Sequence, residues 1–151
     1  MKKPSIPQVL NRLLTTQHRS LPMYLTSASP WIHRGDEEAL AALHHIVADQ
    51  QALSRRIAEY LLDHHWRVEP GEFPIEWTSL HDCSVDYLIG RVLQEQRRAI
   101  AIIESCVADL HGDPAARALA EEVLGAARAH LESLEELGQD CAKAALPTSA
   151  A

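Results

Sequence analysis

The chain has no apolar run approaching the roughly 18 residues that a membrane-spanning helix requires. It also lacks any sustained alternation of apolar and polar residues, and no hairpin dipeptide stands between two apolar runs. The first absence argues against a membrane partner, and the others argue against a β-sheet. The three cysteines, Cys83, Cys106 and Cys141, are an odd number with no Cys-x-x-Cys spacing, which leaves no disulfide framework and no zinc signature. Cys83 and Cys106 fall on one predicted helix, roughly 35 Å apart at ~1.5 Å per residue, too far to bridge. Reduced thiols and a cytoplasmic location are the expectation. The opening Met1-Lys2-Lys3-Pro4 leads into Asn11, Arg12, Gln17 and His18, too polar for the apolar segment of a signal peptide. No Gly-x-Ser-x-Gly elbow and no Gly-rich phosphate loop occur, and the cysteines have no evident base, so no catalytic residue is assigned. A formal charge of −7 argues against nucleic acid as a partner, because binding phosphate needs a concentrated basic surface.

What is present is a helical pattern. With 151 residues, 46% of them apolar and 23% charged, the chain is long enough to bury a core as one domain. The spacing predicts a first helix from about Ile6 to Ala28 on a stripe of Leu10, Leu13, Gln17, Leu21 and Tyr24, with Pro22 kinking it. Ser29 to Gly35 is a connector, and Asp36 is the predicted cap of a second helix with Glu37 and Glu38 in its first turn. That helix carries Leu43, Ile46, Leu53, Ile57 and Leu61 and runs to about Trp66, before Pro70, Gly71 and Pro74 interrupt. Thr78 or Ser79, with Asp82, is the predicted cap of a third helix bearing Val85, Ile89, Val92, Gln96, Ile103 and Leu110. Asp113-Pro114 opens a fourth with Leu119, Val123, Ala127, His130, Leu134 and Leu137, ending at Gly138. The fold class is therefore all-α, an antiparallel four-helix bundle over 1–140 with a frayed tail over 141–151. The link of about ten residues between the second and third helices reaches about 35 Å when extended, so it either crosses the bundle or turns back.

Each apolar stripe is broken by a polar residue near its middle: Gln17 on the first helix, Asp49 (with Gln50 beside it) on the second, Gln96 on the third and His130 on the fourth. A buried amide, carboxylate or imidazole costs several kcal/mol unless it is hydrogen-bonded, paired or bound to a metal. Four at one height should meet one another, a ligand or an ion. Gln17, Asp49, Gln96 and His130 are accordingly the candidate binding residues. His45 and Asp49, four apart on one helix face, could chelate an ion with His130 joining them, which makes His45, Asp49 and His130 the candidate metal ligands. A second such grouping, His81 and Asp82 with His44 or His111, lies near a predicted bundle end.

Leu10-Asn11-Arg12-Leu13-Leu14 resembles the opening helix of DNA-protecting mini-ferritins. Pro30-Trp31-Ile32-His33-Arg34-Gly35 resembles their His-Trp-x-x-x-Gly corner, with proline in place of the histidine. Arg56-Ile57 before Pro70 resembles the end of their second helix, and His130 stands where di-iron bundles place the histidine of a carboxylate-x-x-His element. The resemblance, over roughly residues 6 to 137, is to the ferritin-like superfamily, and it implies a di-iron site of four carboxylates and two histidines. In those positions this chain has Gln17, Asp49, Ala52, Gln96, Ala127 and His130. Neutral amides do not balance the charge of two iron ions. The resemblance thus implies a degenerate site, no resident cofactor (iron being the alternative), and a binding or scaffold protein that self-associates as a homo-oligomer. The competing expectations are a noncanonical iron-binding or oxidase protein using Asp49, His45 and His130, and a haem or small-ligand binder using His130 or His18.

Overall fold

The computed structural model describes residues 2–28, 37–81 and 83–145. Among them are five α-helices, α1 (Ile6–His18), α2 (Leu21–Ala28), α3 (Glu37–Asp63), α4 (Val85–Asp109) and α5 (Pro114–Ala145), with a 3₁₀ helix at Ile75–Leu80. No strand occurs among the described residues, so the all-α expectation holds. No described helix is long and apolar enough to cross a membrane. The predicted connector Ser29 to Gly35, the cap Asp36 and Asp82 lie outside the described residues.

The first predicted helix is two. Ser5 caps α1 through a capping box: Gln8 N donates to Ser5 Oγ at 3.3 Å, and Ser5 N donates to Gln8 Oε1 at 2.9 Å. Pro22 has no N–H for the carbonyl four residues back, and its ring crowds that carbonyl, which belongs to His18. Accordingly α1 ends at His18, and α2 restarts at Leu21 with Ser20 Oγ accepting from Met23 N at 3.3 Å.

Helix directions follow from contacts along the chain. Asp49, Arg56 and Tyr60 of α3 meet His130, Glu122 and Asp113 of or before α5, in reversed order, so α3 and α5 are antiparallel. Ser20 meets Gln50, and Val9, Leu10, Ile57 and Leu61 share a core, so α1 opposes α3. Arg12 reaches Ser105 while Cys106 lies against Val9 O, and Gln17 and Gln96 share a cavity wall, so α1 opposes α4 as well. With α3 and α4 both opposed to α1, they run the same way, and the link between them must travel the length of the molecule. It does so along α1 and α2. Asn11 Nδ2 donates to Arg67 O at 2.8 Å, and Glu69 N donates to Asn11 Oδ1 at 2.6 Å. Gly71 then passes Thr15 so closely that a Cβ there would lie 2.8 Å from Thr15 Cγ2, at a φ of +75° that glycine alone adopts freely. Arg19 Nε donates to Gly71 O at 2.8 Å, and Tyr24 packs against Phe73, Trp77 and His81.

Three predicted boundaries are corrected. α3 stops at Asp63 rather than near Trp66, because His65 turns into the left-handed region at φ +58°. Its N–H bonds Leu62 O at 3.0 Å while Trp66 N bonds Leu61 O at 2.9 Å, a Schellman closure. Thr78 and Ser79 do not cap α4. Their hydroxyls donate to Ile75 O and Glu76 O inside the 3₁₀ helix, and Ser84 is the cap, accepting from Tyr87 N at 3.3 Å. Cys83 therefore precedes α4 rather than sharing a helix with Cys106. Gly138 does not end α5, which continues to Ala145. A Cβ at this glycine would sit 3.1 Å from Leu93 Cδ1, so it lets α5 approach α4 closely.

The lower ends of α3 and α5 are clasped by Tyr60, whose hydroxyl donates to both carboxylate oxygens of Asp113 at 2.8 Å, while Asp113 also caps α5 at Ala116 N. Burial, and the carboxylate the phenol donates to, push the Tyr60 pKa up to about 12. A phenol held neutral in the fold stabilises below its unfolded value near 10, and that contribution is lost as pH rises through the folded value. Denaturant midpoints should therefore fall between about pH 10 and 12, and Tyr60→Phe should flatten this part of the curve; an unchanged slope would show that the clasp is not the titrating element. Separately, His65→Gly should raise stability by about 0.5–1 kcal/mol in urea unfolding, since glycine relieves the left-handed penalty.

Candidate functional site

Between the two ends of the molecule the apolar core is interrupted. One buried cluster includes Leu13, Leu14, Leu53, Ile57, Ile100, Ile103, Val123 and Ala127. On the far side lie a cluster that includes Leu21, Leu25, Leu43, Ile46, Leu88, Val92 and Leu134 and a small one of Ala39, Ile89 and Leu137, both packed against Leu93. In every helical row the residue between them is polar and buried: Gln17, Gln50, Gln96 and His130, each no more than 5% exposed. The reading of a polar level at mid-height thus corresponds to a division in the packing itself.

One member differs from the prediction. Asp49 was the expected inward residue of the second helix, but its side chain is 45% exposed, and its neighbour Gln50 points inward. The signal for Gln50 was present in the spacing, since it stands seven residues from both Leu43 and Ile57, whereas Asp49 stands six and eight away. Asp49 sits one position around the helix, at the seam with α5. There the His130 Nε2–H donates to Asp49 Oδ2 at 2.7 Å, and His45 Nε2 lies 3.8 Å from the same oxygen.

The level therefore has two halves. On the α3–α5 seam, imidazole and carboxylate satisfy each other. On the other side, the three glutamines line a cavity of about 280 Å³ formed by the α1–α2 break, α3, α4 and the long link. Ser20 Oγ, freed by the helix break, donates to Gln50 Oε1 at 2.6 Å. Gln96 Nε2 donates to Ala127 O at 2.8 Å. Gln17, 4% exposed, has no hydrogen-bond partner among the described residues. Leu21, Pro22, Pro74, Trp77 and Ile102 supply apolar walls, and the ionisable residues on the lining are Arg19, Arg98, Glu72 and Glu95, two of each sign. The cavity owes its existence to features that the periodicity did not reveal, namely the α1–α2 break and the link folding back over it.

The donor set does not fit the di-iron centre that the resemblance implies. Two of its carboxylate positions are Gln17 and Gln96, and the nitrogen of Gln96 is engaged with a carbonyl. The Asp49 carboxylate already accepts from His130, whose Nε2 carries the shared proton. Among the described residues, no group of three or more His, Cys, Asp or Glu side chains could hold a metal ion. The second grouping is dispersed: His81 and His111 flank opposite ends of α4, and His81 Nε2 is bonded to the Tyr24 hydroxyl at 2.6 Å. His18, half-buried at the end of α1, has its pKa lowered by burial and then by Arg19, and does not line the cavity. Cys106 is fully buried, and desolvation raises its pKa to about 11, so it remains a thiol. No protein-family model matches the chain, and no curated protein matches it.

The bond from Gln96 to Ala127 O dictates the response to substitution. A carboxylate cannot donate to that carbonyl and would be buried beside it, whereas leucine removes the amide without adding charge. At pH 7, Gln96→Glu should cost roughly 3 kcal/mol or more, and Gln96→Leu about 1–2 kcal/mol, in urea unfolding. The Gln96→Glu penalty should shrink as pH falls from about 6.5 toward about 4, because the buried carboxyl has a raised pKa and is tolerated once protonated.

Proposed function

We propose that the protein is a ferritin-like four-helix bundle in which a ligand-binding level replaces di-iron oxidation, and that it acts as a binding protein rather than an enzyme. The observation that carries this reading is the cavity of about 280 Å³ faced by Gln17, Gln50 and Gln96 at the height where the apolar core divides. The parallel run of α3 and α4, joined by a link that travels the molecule's length, supports the ferritin-like part, because a single long crossover is the connection that those bundles use. Amides at two of the carboxylate positions support the loss of iron chemistry, since neutral oxygen does not offset the charge of ferrous or ferric ions. Self-association through an exposed helix face and a cytoplasmic location belong to the same reading.

The competing reading is a mononuclear metal site. It draws on one observation, the proximity of His45 and His130 to Asp49. The two are separated by the metal content of untagged protein, measured by mass spectrometry after anaerobic Fe(II) loading and desalting. The expected result is retained iron well below one ion per chain. His130→Ala should leave that value unchanged while lowering stability by about 1–3 kcal/mol, the cost of the space left by a buried imidazole and of its lost hydrogen bond. One iron per chain, lost in Asp49→Ala or His130→Ala, would overturn the binding-protein reading in favour of the metal site.

A further inference from the structure

We infer that the mid-level cavity takes an uncharged ligand bearing a paired donor and acceptor on one edge, as in a carboxamide or lactam, on a small apolar or aromatic body. This rests on the proposed binding role and names its ligand class. The hydrogen-bonding capacity left over in the cavity has a definite pattern. Gln50 spends its oxygen on Ser20 and keeps an N–H₂ with no described partner. Gln96 spends its nitrogen on Ala127 O and keeps an unpartnered carbonyl oxygen. Gln17 keeps both groups, although it is 4% exposed. The cavity thus offers free donors and free acceptors together, and a complementary edge must present both.

Charge decides the rest. The three groups at the polar level are amides, which provide dipoles but no counter-charge. Burying an ionised ligand against them would cost several kcal/mol without a partner to offset it. The charged lining residues are balanced in sign and partly committed already: Arg19 to Gly71 O and the Phe73 ring, Glu95 to Arg91. Arg98 and Glu72 are exposed to solvent. The remaining walls, Leu21, Pro22, Pro74, Trp77 and Ile102, suit an apolar or flat ring. The volume of about 280 Å³ lies near the lower end of the ~300–1,000 Å³ usual for small-molecule sites, which limits the ligand to a compact one.

A matched series tests the class on the unaltered full chain: benzamide, benzoate, benzamidine and toluene, which share a ring and differ in the edge. Each is titrated to about 5 mM, a range that captures weak fragment binding, and followed through the side-chain amide resonances of the glutamines by ¹⁵N NMR. Saturable binding of benzamide, about tenfold or more tighter than the other three, is the expected result, because a site built to bond a donor–acceptor pair rejects analogues that lack it. Gln17→Leu should weaken benzamide about tenfold and leave toluene unchanged. If that variant fails to fold, the series on the unaltered chain decides alone. Binding of benzoate, benzamidine or toluene as tightly as benzamide would overturn the inferred ligand class and leave the binding role standing. No saturable binding by any of the four would overturn both.

Discussion

A buried amide needs a partner for each of its polar groups, and this chain places three at one height in its interior. Most of the architecture around mid-molecule can be traced to that requirement. Gln50 finds a hydroxyl because α1 breaks at His18 and releases Ser20 from helical geometry. Gln96 finds a carbonyl because α5 approaches closely enough to present Ala127 O. Gln17 finds no described partner and faces a cavity. Packing alone would have joined the upper and lower apolar clusters into one core, as an uninterrupted stripe of leucines does. The division at mid-height follows from the amides, whose desolvation cost of about 1–3 kcal/mol per unmet group makes a simple hydrophobic seam unavailable.

The helix break and the long link act together. A helix continuous through residues 19 and 20 would keep Ser20 on the helical ladder, and Pro22 prevents that. The link then covers the opening, with Glu72, Pro74 and Trp77 entering the cavity wall. Its path is held by contacts that leave little freedom: Asn11 bonds the backbone at both Arg67 and Glu69, and Gly71 admits no side chain against Thr15. Because α3 and α4 run in the same direction, this segment has to climb the molecule, and the route along α1 and α2 takes it past the polar level. Topology thus delivers a wall to the site without any residue at the polar level needing to change.

The helical rows were legible from three- and four-residue spacing because burying an apolar stripe is what makes those segments helical at all. Gln17, Gln96 and His130 stood out for the same reason, as polar residues at apolar positions. Asp49 and Gln50 both stand between Ile46 and Leu53 at helical spacing, and Gln50 alone also keeps the seven-residue spacing to Leu43 and Ile57 that faces the core. Here geometry outranked residue type. Helix ends were less legible because they turn on local competition that periodicity does not record. Hydroxyls at Thr78 and Ser79 bond back to nearby carbonyls and leave the cap to Ser84. Gly138, which reads as a stop, instead serves the contact with Leu93. The cavity was not legible at all, because it is produced by segments distant in sequence: residues 15–22, Gln50, the link and α4.

The two halves of the polar level obey one electrostatic rule. At the α3–α5 seam the ionisable side chains of Asp49 and His130 are bonded to each other, and the carboxylate keeps part of its surface in water. Facing the cavity, the buried side chains at this height are the neutral amides of Gln17, Gln50 and Gln96. On the ferritin-like reading, this is the pattern expected once iron no longer supplies positive charge. On that reading Asp49 and His130, which pair with each other, keep acid and imidazole, while the other carboxylate positions hold Gln17, Gln96 and Ala127. Glutamine nearly preserves the shape of glutamate and removes the charge, so the packing of the level survives the loss of the ion. On the proposed reading, then, these amides would be less the remnants of a metal centre than the means of keeping its space open to an uncharged occupant.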